Sequence, residues 1–121
     1  MNKDIFISYA SNDRLLAQNT TRQLHRKGLL ENEYIEHLEG VEKPREDKYL
    51  REKIKERILR SDLVVLIWSK DAAKSPWVQY EVGMAKALER PILIAWADKS
   101  APELPTEIKE NQIVRLEGEP A

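Results

Sequence analysis

A chain of 121 residues suits one domain around one core, and 41% hydrophobic with 34% charged residues is the balance of a globular protein with a well-charged surface. With 20 basic against 21 acidic residues the net charge is −1, which gives no electrostatic reason for a nucleic-acid or anionic-membrane partner. The absence of cysteine excludes disulfides, thiolate metal sites and cysteine nucleophiles, and His25 and His37 have no His or Cys companion with which to hold a metal.

The N-terminal stretch MNKDIFISYA has neither the apolar run nor the small-residue cleavage site of a secretory leader, so a cytoplasmic protein is expected. Within it, DIFIS (4–8) reads as a short strand. Residues 12–27 then read as a helix, capped by Ser11 or Asn12 and stopped by Gly28. Its apolar positions Leu15, Leu16, Thr20 and Leu24 are expected along one face. The sequon Asn19-Thr20-Thr21 falls inside that helix and is discounted.

EYIEHL (33–38) reads as a strand, and EGVEKPRED (39–47) as a charged loop. A helix is expected from Asp47 to Arg60, with Leu50, Ile54 and Ile58 at spacing four. LVVLIW (63–68) is continuously apolar, as befits a strand covered on both faces in a parallel sheet. SKDAAKS (69–75) reads as a loop. The helix over 75–89 opens with Ser75 as N-cap and Pro76 at the first helical position, and Gly83 is expected to permit close packing. PILIAW (91–96) is a second buried strand, a short helix is expected near 103–110, and QIVRL (112–116) is the last strand. EGEPA (117–121) reads as the start of a linker after a single domain over 1–121. The apolar runs are far too short to span a bilayer.

This alternation predicts an α/β fold with a flavodoxin-like open parallel five-stranded sheet, order 2-1-3-4-5, and helices on both faces. Ligands in such sheets bind beyond the carboxyl ends of the strands where the winding reverses. SYASND (8–13) and SKDAAKS (69–75) are expected to meet there. Glu81 lies within two turns of the start of the helix that follows. Its helical neighbours Trp77, Val78, Met84 and Ala85 include no base, although surface glutamates commonly have one at that spacing. A partly desolvated carboxylate at the ligand end of the sheet is a candidate functional group, or else a rim residue paired with a base from another element.

DIFISYASND and SPWVQYE, in this order and spacing, resemble the TIR (Toll/interleukin-1 receptor) domain family, and the likeness is closest to bacterial members. Phe6 to Asp13 is similar to the first conserved box, and Trp77 to Glu81 to the WxxxE arrangement of the catalytic helix. The resemblance implies an NAD+ nucleosidase, acting as hydrolase or cyclase in bacterial defence or signalling and activated by self-assembly. It implies Glu81 as the catalytic residue, NAD+ as substrate with no further cofactor, and other TIR domains as partners. One acid suffices for this chemistry. Ordinary glycosidases need a second carboxyl group to protonate the leaving oxygen, whereas the nicotinamide of NAD+ is cationic and departs neutral.

The resemblance also places Ser8, Tyr9 and Ala10 in the first-strand loop near the nucleotide, and Ser75 and Trp77 beside the substrate. Each has a structural reading as well: Tyr9 as packing, Trp77 as the helix anchor, Ser75 as the cap. Lys70 and Lys74 can offer phosphates positive charge or simply be solvated. Residues 31–48 depart from the family pattern where its members carry the loop that closes the site and mediates assembly.

Two further functions remain open. One is a non-catalytic TIR–TIR adaptor. The other is an enzyme like the nucleoside 2-deoxyribosyltransferases, whose pattern EVGMAKALERPILI (81–94) is similar to. A receiver domain lacks its acidic pair here and a flavodoxin its phosphate loop.

Overall fold

The structure, a computed structural model, describes residues 4–30, 48–104 and 112–116. In chain order these form β1 (Ile5–Ser8), a 3-10 turn (Ser11–Asp13), α1 (Arg14–Arg26), α2 (Lys48–Arg60), β2 (Leu63–Trp68), α3 (Lys70–Lys74), α4 (Pro76–Ala87), β3 (Ile92–Trp96) and β4 (Gln112–Arg115). The described sheet has 4 strands in the order β1-β2-β3-β4. All neighbours run parallel, with Ser8 opposite Leu66 and Trp68 opposite Trp96. The strand carboxyl ends therefore lie along one edge, where the loops after β1, β2 and β3 gather.

Alternation along the central strands divides the core in two. Val64, Leu66, Ile92 and Ile94 face Ile54 and Ile58 of α2, Ala72 of α3, and Trp77, Val78 and Ala85 of α4. Val65, Ile67, Leu93 and Ala95 face the other way, against Ala17 and Leu24 of α1. Because both faces are covered, β2 and β3 are apolar at every position, the pattern that marks a strand buried in a parallel sheet. The molecule is thus an open α/β sheet of the flavodoxin-like class with helices on both faces. The strand expected at 33–38, the loop at 39–47 and the linker at 117–121 lie outside the described residues, as do residues 105–110 of the helix expected near 103–110, whose residues 103 and 104 are not helical.

Several local expectations are corrected. Leu15 is 70% exposed, whereas Ala17, Thr20, Thr21 and Leu24 form the buried stripe of α1. Residues separated by two positions on a helix point about 200° apart, so a face centred on Ala17 turns Leu15 to solvent. Neither Ser11 nor Asn12 caps α1. The chain enters through the 3-10 turn, and Asp13 takes the N-cap position without a side-chain cap bond. Residues 70–74 are helical rather than a loop, because Ser69 accepts the Ala72 N–H at 2.9 Å and nucleates the turn. Gly28 does end α1, with φ at 77° where a side chain would be strained.

Gly83 is the clearest reversal. It is exposed on α4, and a Cβ built there meets nothing within 4 Å. Its lack of a side chain therefore serves no close approach among the described residues and only loosens the helix. Gly83→Ala is expected to stabilise the domain by about 0.5–1 kcal/mol. In urea the midpoint should rise at unchanged slope, and a lowered midpoint would mean that α4 is packed on that side after all. Among the described residues no helix is long and apolar enough to cross a membrane.

Candidate active site around Glu81

The first turn of α4 is fixed by its own sequence. Ser75 accepts the Val78 N–H at 3.2 Å, and Pro76 occupies a position whose missing N–H costs nothing. From that start, spacing four puts Trp77, Glu81 and Ala85 on one row, and all three are buried. Glu81 is 4% exposed and faces the sheet. Opposite it lies Ser8, the last residue of β1 and itself buried, whose Oγ–H donates to Glu81 Oε1 at 2.8 Å. The partner that α4 lacks comes from 73 residues earlier in the chain.

Burial pushes the Glu81 carboxyl up to about 8, from an ordinary value of 4.5. Three weaker influences favour its ionised form: the Ser8 hydroxyl, the Trp77 side chain and the positive charge of Arg57. At neutral pH the resting acid is therefore largely protonated. A cation arriving beside it would drive the proton off and be held by the charge that results.

Ser8 and Glu81 are the predicted site residues that meet. Trp77, 4% exposed, is packed into the α4 side of the core, with its ring 6.0 Å from that of Tyr80 at 30°. Ser75 caps α4. Ala10 is buried on the same side of the sheet, and its carbonyl accepts the Asp13 N–H at 2.8 Å. Tyr9 goes to the opposite face, 5% exposed among Ile7, Ala17 and Leu24. Lys70 and Lys74 are exposed, and the backbone N–H of Lys70 donates to Asp98 Oδ2 at 2.9 Å.

Two further features carry no sequence signal. Ser69, following β2, donates its hydroxyl to the Asp13 carboxylate and thereby ties the loops after β1 and β2 together. Burial raises the pKa of Asp13, with Asp71 and Asp98 adding to the effect. Asp98 itself is held below the usual range by the Lys70 N–H and by Ser100. The other feature is Arg57 of α2, whose guanidinium lies over the Phe6 ring, 5.7 Å from its centroid. Both contacts join residues far apart in the chain, which no local spacing reveals. His25 Nδ1 lies 3.0 Å from the Leu30 carbonyl, while His37 falls outside the described residues. Among the described residues no group of His, Asp and Glu is placed to hold a metal ion.

In comparison with known proteins, the family model described as TIR domain matches residues 5–120. No curated protein matches the chain.

Proposed function

Because the chain belongs to the TIR domain family, we propose that it is a cytoplasmic NAD+ glycohydrolase or cyclase with Glu81 as its catalytic residue. The observation that carries this function is the buried carboxyl itself. Glu81 sits at the carboxyl end of β1, its pKa is raised to about 8, and its bond to Ser8 is one that a ribose hydroxyl can replace. A raised acid at the ligand edge of a sheet supports a chemical role for Glu81.

In the proposed reaction the bond between ribose C1 and the nicotinamide nitrogen breaks, and its electron pair stays on nitrogen. The ring leaves neutral, so no general acid is needed. The Glu81 proton passes to solvent as the cationic ring binds, and the carboxylate then stabilises the positive charge growing on the ribose. Water adding to C1 and losing a proton yields ADP-ribose. An adenine nitrogen or a ribose hydroxyl in its place yields a cyclic isomer. TIR domains commonly self-associate, and the proposal includes assembly as the on-switch, in bacterial immune defence or signalling.

One observation favours the adaptor alternative. At 4% exposure, Glu81 also works as a clasp between β1 and α4, a role that needs no substrate. Turnover separates the two. The purified chain should release nicotinamide from NAD+ when clustered on a scaffold, and little when dilute. Background release in both samples, from folded protein, would leave the adaptor. Release of base from a deoxynucleoside but not from NAD+ would favour the deoxyribosyltransferase-like enzyme.

A further inference from the structure

Ser8 is the one polar side chain of β1, at a place where a sheet covered on both faces would suit an apolar residue. It is fully buried, and its Oγ–H donates to Glu81 Oε1 at 2.8 Å. Pairing with β2, which sets Ser8 opposite Leu66, holds the hydroxyl in position. Glu81 is the movable half of the pair. Its carboxyl ends a flexible side chain on a helix whose start is held by the Ser75 cap. Helical side chains lean toward the N-terminus of their helix, and that end of α4 follows β2 and α3 at the carboxyl edge of the sheet. A turn about the side-chain bonds is therefore enough to bring the carboxyl out toward the ligand edge. At 4% exposure it meets almost no solvent, and no substrate reaches it until it is let go.

We propose that Ser8 is a positioning residue that holds Glu81 in a closed resting state, its hydroxyl filling the place that a substrate hydroxyl takes on binding. The proposal rests on Glu81 being the acting carboxylate, and it gives the substrate an internal rival to displace. While most chains are closed, the apparent affinity for substrate is scaled down by the fraction that is open. An acid left buried without its donor is unfavourable, so a chain lacking the Ser8 hydroxyl keeps Glu81 turned out to water. Besides Ser8, Glu81 feels the Trp77 side chain of its own helix and the charge of Arg57 on α2, and the test leaves both in place.

The test is a titration of Glu81 in the full chain, by carbon-13 NMR of labelled glutamate side chains. The Glu81 signal is assigned from its loss in Glu81→Gln. In the wild type its midpoint should lie near 8. The Ser8 hydroxyl favours the ionised form, so Ser8→Ala raises the midpoint if the carboxyl stays where it is. If Ser8 is the latch, the carboxyl turns to water and the midpoint falls by more than about one pH unit. The two cases differ in sign. Ser8→Cys keeps a weaker donor of similar size and should give a smaller fall, and it is read instead if Ser8→Ala does not fold. In NAD+ turnover, Ser8→Ala should lower KM about fivefold or more, with kcat within a few-fold of the wild type. A midpoint that stays or rises overturns the latch, whether or not NAD+ is cleaved. A fallen midpoint with KM unchanged or raised overturns the rivalry between the two hydroxyls. A fallen midpoint in a protein that never cleaves NAD+ upholds the latch and sinks the proposed reaction instead.

Discussion

Glu81→Gln is expected to lower NAD+ cleavage at least about a hundredfold and, in the same molecule, to make the domain more stable above neutral pH. The first effect follows from loss of the charge that faces the developing cation. The second follows from linkage. Unfolded, the carboxyl ionises near its ordinary value of 4.5; folded, it is pushed up to about 8. Between those values the folded chain holds a proton that the unfolded chain has released. The stabilising contribution is thus fully present below 4.5 and is lost as pH rises through 8. The loss amounts to about 1.4 kcal/mol for each pH unit across that window. Glutamine keeps an oxygen for the Ser8 hydroxyl and has no proton to lose. Thermal melts between pH 5 and 9 should therefore show the wild type falling away from the variant as pH rises. Parallel curves would mean that the folded carboxyl titrates near its ordinary value and is already ionised at rest.

The second large effect is mechanical. Trp77→Ala is expected to cost roughly 3–5 kcal/mol, the usual loss for a buried tryptophan cut back to a methyl group. Set against a total stability of about 5–15 kcal/mol, this leaves a substantially weakened domain. The reason is local: Trp77 is 4% exposed and stands one turn before Glu81, on the row that packs α4 onto the sheet. Trp77→Phe keeps most of that contact and separates anchoring from substrate recognition. If Trp77 anchors the helix, Trp77→Phe folds with KM within a few-fold of the wild type. A KM raised more than about tenfold in a protein of near-native stability would assign the indole to the substrate instead.

How much of this could be read from the sequence depended on the range of the interaction. LVVLIW and PILIAW announced β2 and β3 because a strand covered on both faces must be apolar throughout. Ser75, Pro76 and Gly28 marked helix ends through contacts made within a few residues. The five residues of α3 were too few to display a helical period and read as a loop. On α1, four plausible apolar positions did not settle which face turned inward, since the stripe is completed by Ala17 and Thr21, small side chains that carry little apolar signal. The absence of a base near Glu81 on its own helix was legible and correctly raised a question. Its answer was not, because Ser8 reaches Glu81 only once β1 is packed beside α4. The bond from Ser69 to Asp13 escaped for the same reason, joining loops that follow different strands.

The distance along the chain between Ser8 and Glu81 also bears on how the protein is made. β1 leaves the ribosome early, but its hydroxyl has nothing to grip until β2 has paired with it and α4 has followed, 73 residues later. A stalled or prematurely ended translation product therefore carries half of the pair and none of the other. For a protein whose proposed activity consumes a coenzyme the whole cell depends on, this dependence on late synthesis is a safeguard. Under the proposed activity, unfinished copies would be silent, and the hazard would begin only with a chain read past Glu81.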